Sequence, residues 1–196
     1  MEILRNNLKN ETNIRTQLDF PIKGMEFIDV TPLLINPVVF TEIVSRFVDE
    51  IKDLNVDYII APEARGFLFA PSIAYLLNAG CIPVRKKGKL PTDFVEAEAS
   101  YEKEYGPDIV ELPVLVNGNY SGKRYYIVDD IYASGNTIKA IKEAIELLGG
   151  EVVGYGAIIN LVGLNTDTDV FSLIDAKESV PTLDKDDTSY SRTLQP

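Results

Sequence analysis

Polar and small residues follow the apolar segment Tyr125–Val128 in an order that suggests chemistry. The paired carboxylates Asp129 and Asp130 come first, and the small-residue run Ser134–Thr137 follows, directly before a segment with helical periodicity. Converging backbone N–H groups and the free donors of a helix N-terminus together form a cradle for a monophosphate. The carboxylates suit ribose hydroxyls or a hydrated Mg²⁺. This segment is therefore the first candidate for a binding site.

The loop differs from two familiar nucleotide-binding loops. No lysine follows its glycine as in a Walker A loop, and the three-glycine pattern of a Rossmann fingerprint is absent. Each residue taken singly is also common as a helix cap or a turn former. The ordered combination of apolar strand, paired carboxylates, small-residue loop and helix is what carries the prediction.

The elements that must position this loop can be predicted from hydrophobic periodicity. Helices are predicted at 37–51, 66–78 and 137–148, and strands at 57–61, 82–85, 124–128 and 152–162. This alternation predicts an α/β fold with βαβ units and a mostly parallel central sheet flanked by helices. Ligands bind beyond the carboxyl ends of the strands in such sheets, so the loops at 62–66 and 129–137 are favoured as sites.

Two segments do not fit this regular pattern. From Lys86 to Pro107 the periodicity fails, and a polar excursion of this length predicts a mobile lid in the form of a hairpin. Beyond Val162 the chain is polar and acidic, and its composition is typical of a disordered tail. We expect that tail to pack on a neighbouring subunit or on the lid.

Composition excludes several classes of function. The 196 residues include 19 basic and 30 acidic side chains, so a nucleic-acid-binding protein is not expected. The absence of histidine removes His-based triads and His-ligated zinc. The one cysteine, Cys81, is predicted to be a buried apolar side chain and not a nucleophile. With no signal peptide and no membrane-spanning run, we expect a cytoplasmic protein.

Several blocks of the sequence, in order along the chain, resemble one protein family. IVDDIYASGNT (127–137) is similar to the phosphoribosyl-pyrophosphate-binding motif of the type I phosphoribosyltransferases. Supporting blocks are DFPIKGMEFIDVTPLL (19–34), APEARGFLFAPSIA (61–74), PVRKKGKLP (83–91) and SYEKEYG (100–106). The resemblance covers roughly residues 19 to 165 and is strongest for the members that use adenine.

The resemblance implies a fold, a reaction and a cofactor. It implies a single phosphoribosyltransferase domain over 1–196, with a core at 35–165 and a mobile lid at 86–107. Residues 19–34 together with the C-terminal part would form a small base-binding hood. The reaction would convert adenine and phosphoribosyl pyrophosphate to AMP and pyrophosphate with Mg²⁺, in a homodimer that needs neither nucleic acid nor membrane.

The resemblance also implies roles for individual residues. Asp129 and Asp130 would bind the ribose hydroxyls. The substrate would hold most of the coordination of Mg²⁺, and either carboxylate could contact the metal through water. Glu104 would handle the proton of the base, and Arg65 would act in catalysis as well as in binding. The 5-phosphate would be held by Ala133, Ser134, Gly135, Asn136 and Thr137. The pyrophosphate would be met by Ala64, Arg65, Lys86 and Lys89, and the base by Glu26, Phe27 and Ile28.

The base-binding block departs from the family pattern at two positions. Glu26 stands where the family has an apolar residue, and Ile28 stands where it usually has arginine. A carboxylate beside a purine ring needs a hydrogen-bond donor or turns to solvent. A transferase for another purine, namely hypoxanthine, guanine or xanthine, therefore stays open as an alternative. So does a regulator that senses phosphoribosyl pyrophosphate without catalysis.

Overall fold

The computed structural model describes residues 14–20, 23, 26–103, 106–116 and 118–176. The chain divides into two compact units, one that reaches Val39 and one that begins at Phe40. No helix within these described ranges is long and apolar enough to cross a lipid bilayer.

The first unit contains a hairpin and a short helix. Strand β1 (Arg15–Leu18) pairs antiparallel with β2 (Glu26–Asp29), and helix α1 (Thr31–Ile35) follows. The Asp29 carboxylate joins these elements, because Oδ2 accepts a hydrogen bond from Arg15 Nε at 3.0 Å and Oδ1 accepts one from Thr31 N at 2.9 Å. Helix α2 (Pro37–Ile51) begins here, and the Asn36 side chain accepts a hydrogen bond from Val38 N.

The second unit is built around a sheet of seven strands within the described residues, in the order β5-β6-β4-β3-β7-β8-β9. Strands β3, β4, β7, β8 and β9 run parallel, whereas β5 and β6 form an antiparallel hairpin beside β4. The strands are β3 (Tyr58–Pro62), β4 (Gly80–Lys86), β5 (Val95–Lys103), β6 (Gly106–Pro113), β7 (Arg124–Tyr132), β8 (Glu151–Leu161) and β9 (Phe171–Ala176). Helices α3 (Ala70–Leu77) and α4 (Asn136–Leu147) complete the βαβ units.

Both faces of the central strands are buried, as a parallel sheet with helices on its two sides requires. Ile127 on β7 belongs to an apolar cluster that includes Ile141 and Ile145 of α4. Its neighbour Tyr126 is also buried and, because strand side chains alternate, faces the opposite side. There, the Tyr126 hydroxyl and the Phe47 ring of α2 crowd the backbone of β8. The predicted α/β fold with a mostly parallel sheet is confirmed.

The segment 86–107 contains more regular structure than its sequence suggested. After a 3-10 helix at Thr92–Phe94, the chain forms the hairpin of β5 and β6. The inward residues of β5 include Val95, Ala97 and Ala99, and the residues between them are exposed. The predicted hairpin is therefore present, but its strand alternation was not recognised because the alanines conceal it. Whether this hairpin moves as a lid stays a prediction.

Two other expectations were wrong. Residues 171–176 form β9, which pairs parallel with β8, so this part of the chain is an edge strand of the sheet and not a disordered tail. Cys81 is exposed, because the alternation of β4 buries Ile82 and Val84 and turns Cys81 to the other face. The predicted division into core, hood and lid stays a prediction.

Candidate active site

Three segments that carry the predicted site residues leave the sheet at one edge. Strands β3, β4 and β7 are parallel neighbours, with Pro62 beside Val84 and Ile60 beside Ile127. Their carboxyl ends therefore lie together. The turn with Ala64 and Arg65, the lysines after β4, and the loop after Asp129 all start from this edge. The favoured loops of the sequence are thus neighbours in space.

Arg65 and Asp130 form an ion pair across this edge. The distance from Arg65 Nε to Asp130 Oδ2 is 2.8 Å. The Asp130 side chain is almost fully buried, whereas 41% of the Arg65 side chain is exposed. Two residues predicted to bind different parts of one ligand, the ribose and the pyrophosphate, therefore touch each other.

The neighbouring Asp129 is a buried carboxyl with a perturbed pKa. Its Oδ1 accepts a hydrogen bond from Asp130 N at 2.8 Å. Burial, and then the negative charge of Asp130, raise the pKa of Asp129 well above its usual range, and the positive charge of Arg65 offsets part of this rise. The carboxyl is thus a better proton acceptor than an exposed aspartate. A carboxyl whose pKa is perturbed by burial and by a specific charged neighbour is typical of functional sites.

Gly66 allows the Arg65 turn to approach β7. A Cβ atom at Gly66 would lie 3.0 Å from Val128 O and 3.3 Å from Asp129 Oδ1, so a larger residue would push the turn away. The 3-10 helix Arg65–Leu68 begins here, and the preceding Glu63–Ala64 peptide bond is cis. The sequence does not reveal this role of Gly66, because the approach is between segments far apart in the chain.

The loop from Ala133 to Thr137 has the predicted form. Helix α4 begins at Asn136, and Gly135 precedes it with φ +78°. A Cβ atom on Gly135 would lie 2.6 Å from Cζ of Tyr132, so both the backbone conformation and the space beneath it require glycine. The first backbone N–H groups of this helix lie next to the loop and have no partner within the helix, as at any helix N-terminus.

The lysine turn after β4, residues 86–90, is shaped by two carboxylates. Glu63 Oε2 accepts hydrogen bonds from Arg85 Nε at 3.1 Å and Lys86 N at 2.9 Å. The buried Glu111 accepts bonds from Gly88 N at 2.8 Å and Leu90 N at 3.4 Å. The hydrogen bond from Lys86 N, together with Arg85, lowers the pKa of Glu63 despite its partial burial. Neither glutamate carries a local sequence signal for this role, because the backbone groups that it binds are distant in the chain.

The side chains of Lys86 and Lys89 are exposed at this turn. Lys87 is exposed as well, but its Nζ is engaged by Glu98 Oε2 at 3.0 Å. The structure thus distinguishes Lys87, whose charge is paired on β5, from the two lysines predicted to meet pyrophosphate.

The remaining predicted residues belong to other segments of the chain. Glu104 is outside the described residues. Glu26, Phe27 and Ile28 belong to β2 of the first unit, where Ile28 is buried and Phe27 packs edge-on against Phe20 at 5.3 Å between ring centroids. Across the described ranges, no group of three or more Asp, Glu, Cys or His side chains is arranged to hold a metal ion.

Comparison with known proteins gives a consistent result. The phosphoribosyl transferase domain family matches residues 33–179. The adenine phosphoribosyltransferase of Clostridium acetobutylicum is 44% identical over 167 residues, which cover 83% of this chain and 95% of that protein. That of Petrotoga mobilis is 43% identical over 166 residues, 82% of this chain and 94% of that protein.

Solved structures agree. The adenine phosphoribosyltransferase of Thermoanaerobacter pseudethanolicus superposes with a TM-score of 0.76 at 38% identity, covering 85% of this chain and 97% of that one. The enzyme of Saccharomyces cerevisiae, crystallised with an iminoaltritol bisphosphate and adenine, gives a TM-score of 0.75 at 32% identity, covering 88% and 99%.

Proposed function

The chain belongs to the phosphoribosyl transferase domain family, and from that membership we propose a purine salvage enzyme that converts adenine and phosphoribosyl pyrophosphate to AMP and pyrophosphate. The activity of its relatives, a pentosyl transfer to adenine, agrees with this proposal. The residue roles below are part of the same proposal.

The observation that carries the proposal is the contact of Arg65 with Asp130 beside the small-residue loop. Phosphoribosyl pyrophosphate carries a monophosphate, a diol and a diphosphate in a fixed order. The loop from Ala133 to Thr137 offers donors for the first, Asp129 and Asp130 offer acceptors for the second, and Arg65 offers a planar cation for the third. The three features occur along one sheet edge in that order.

The reaction breaks the bond between the anomeric carbon and pyrophosphate. Positive charge then develops on the ribose and negative charge on the leaving diphosphate. Arg65 would stabilise the leaving group where its charge develops, assisted by Lys86 and Lys89 and by the backbone at Ala64. Asp129 and Asp130 would hold the ribose hydroxyls and lie next to the developing positive charge. Arg65 must then share or exchange its contact with Asp130 when the substrate binds.

Mg²⁺ is the cofactor that we propose. The protein offers the carboxylates of Asp129 and Asp130, and we propose that substrate oxygens and water supply most of the remaining ligands. When bound, Mg²⁺ would supply charge neutralisation to the diphosphate. The protein's own residues would orient that complex.

Other parts of the proposal rest on the family resemblance. These are proton handling by Glu104, binding of the base by Glu26, Phe27 and Ile28, closure of the 86–107 segment and a cytoplasmic location.

A homodimer is proposed on the same basis. Tyr75 and Leu76 on α3 are 82% and 56% exposed in the single chain and offer an apolar surface for self-association. Sedimentation equilibrium would test this, and a mass of one chain at micromolar concentration would contradict it.

The function is tested by a spectrophotometric assay with phosphoribosyl pyrophosphate, Mg²⁺ and a panel of bases. We expect adenine to be converted with a kcat/KM at least about 100-fold above those of hypoxanthine, guanine and xanthine, since purine sites discriminate through paired polar groups. The control is the same reaction with excess EDTA, which should stop turnover.

The outcomes separate the alternatives. If guanine or xanthine is converted and adenine is not, adenine is not the substrate. We would then ascribe the changed base specificity to Glu26 and Ile28, where the sequence departs from the family pattern. Binding of phosphoribosyl pyrophosphate without conversion of any base would favour a sensing regulator. Failure to bind phosphoribosyl pyrophosphate would contradict the whole site.

A further inference from the structure

The turn between β8 and β9, residues 162–170, contacts the loop that we propose for the 5-phosphate. Asn165 and Asp167 of this β8–β9 turn share a cavity of about 450 Å³ with Ser134, Gly135 and Asn136 of the loop. The acidic composition of this region gave no sign of a role in the site. Its contacts are specific and polar.

The first contact fixes one peptide group of the loop. Asn165 Nδ2 donates to Ala133 O at 2.7 Å and also lies 3.0 Å from Asn160 Oδ1 and 3.1 Å from Leu161 O. The peptide bond between Ala133 and Ser134 is trans, so its C=O and N–H point in opposite directions. Because Asn165 binds the carbonyl, the Ser134 N–H is turned to the opposite side of the loop. A 5-phosphate bound on that side would accept a hydrogen bond from this N–H.

The second contact lies beneath Gly135. Asp167 Oδ2 accepts hydrogen bonds from the Tyr132 hydroxyl at 2.6 Å and from the Tyr155 hydroxyl at 2.8 Å. The two rings stack with centroids 6.1 Å apart. Tyr132 is the residue whose ring fills the space under Gly135. Asp167 therefore holds the ring on which the loop rests.

The turn is itself anchored to the edge strand. Asn160, which is buried, donates from Nδ2 to Asp175 Oδ1 of β9 at 3.2 Å. Ser172 Oγ donates to the same oxygen at 2.7 Å. A continuous chain of hydrogen bonds thus leads from β9 through Asn160 and Asn165 to the Ala133 carbonyl. Such a chain limits the positions that the loop can adopt.

We propose that Asn165 and Asp167 are positioning residues for the 5-phosphate, because they fix the peptide of Ala133 and the ring of Tyr132 from behind the loop. This inference rests on the proposed function, in which that loop binds the 5-phosphate. It predicts a selective effect. Ligands with a 5-phosphate depend on the β8–β9 turn, and ligands without one do not.

The test is isothermal titration of Asn165→Ala with AMP, ribose 5-phosphate and pyrophosphate with Mg²⁺. We expect AMP and ribose 5-phosphate to bind about tenfold more weakly, the loss typical of one well-placed hydrogen bond. Pyrophosphate affinity should change by less than about twofold, because its proposed ligands receive no support from Asn165. Thr168→Ala, an exposed position in the same turn, is the matched control and should leave all three affinities unchanged.

Tyr132→Phe supplies an independent variant in case Asn165→Ala does not fold. It keeps the ring and removes the hydroxyl, which Asp167 binds and which is the Tyr132 atom nearest to Gly135, so a loss of about threefold confined to the 5-phosphate ligands is expected. Equal losses for all three ligands, or none, would overturn the inference. Failure of the unmodified protein to bind AMP and ribose 5-phosphate would instead contradict the proposed function.

Discussion

The loop after β7 and the lysine turn after β4 leave the same edge of the sheet but are built in different ways. The first is tightly packed: Gly135 rests on Tyr132, and Asn165 holds the carbonyl of Ala133. The second projects exposed lysine side chains, and only its backbone is fixed, by Glu63 and Glu111. A backbone cradle selects the geometry of a ligand, whereas exposed cations mainly select its charge.

This difference predicts unequal sensitivity to mutation. A packed loop has one geometry, so a small displacement removes several donors at once. Exposed lysines act nearly independently and are screened by salt. The largest losses of activity are therefore expected at the loop after β7 and the smallest at the lysine turn.

The largest effect is expected for Gly135→Ala. The added methyl group would meet the Tyr132 ring while the backbone is held at φ +78°, so the loop must move. We expect kcat/KM for phosphoribosyl pyrophosphate to fall by about 100-fold or more, as is typical when positioning donors are misplaced. Steady-state kinetics at saturating adenine measure this.

Gly122→Ala is the control for Gly135→Ala. Gly122 has a similar φ of +70°, but a Cβ atom there would meet nothing within 4 Å. It shares the backbone strain without the collision, so it should lower stability with little change in kcat/KM. Comparable activity losses in the two variants would show that strain alone, and not the packing on Tyr132, explains the sensitivity of the loop.

Asp129→Asn is expected to lower activity and to raise stability. We expect kcat/KM for phosphoribosyl pyrophosphate to fall by about 30-fold, because an amide replaces the acceptor for a ribose hydroxyl beside developing positive charge. The folded protein should become more stable at neutral pH, by a few degrees in Tm, because a buried negative charge next to Asp130 is removed.

The pH dependence of unfolding tests the direction of the Asp129 pKa shift. The pKa of Asp129 is raised in the folded state above the ordinary value of 3.8, so the folded protein binds this proton more readily than the unfolded chain does. The associated stability is present below pH 3.8 and is lost as pH rises through the folded-state pKa. Asp129→Asn should remove this loss, whereas exposed Asp93→Asn should keep it. A lower Tm of Asp129→Asn at neutral pH would contradict the assignment.

The difference between local and long-range contacts explains which features the sequence could predict. The strand, the paired carboxylates and the small-residue loop before α4 are contiguous, so local periodicity and helix-capping chemistry were enough to find them. Glu111 and Asn165 act on segments distant in sequence, and such pairings depend on the order of strands in the sheet. A hairpin was predicted in the 86–107 segment, but the bounds of strand β5 were not, because its inward alanines weaken the alternation. Strand β9 was missed because its flanks are acidic.

The smallest effect is expected at the lysine turn, where neighbouring residues provide a matched pair. Lys86→Ala should raise KM for phosphoribosyl pyrophosphate about fivefold at low ionic strength, because one cation near the diphosphate is lost. Lys87→Ala should change it by less than about twofold, because Lys87 is already paired with Glu98.

The salt dependence of these mutational effects separates contributions of charge from contributions of geometry. The effect of Lys86→Ala should shrink as ionic strength rises towards about 0.5 M, since exposed charges are screened over a few ångströms there. The effect of Gly135→Ala should persist, because it arises from geometry and not from charge. Equal effects of Lys86→Ala and Lys87→Ala, or a salt-independent loss in Lys86→Ala, would mean that this turn also acts through a fixed geometry. Glu63 and Glu111 would then be the residues that supply it, because they bind its backbone.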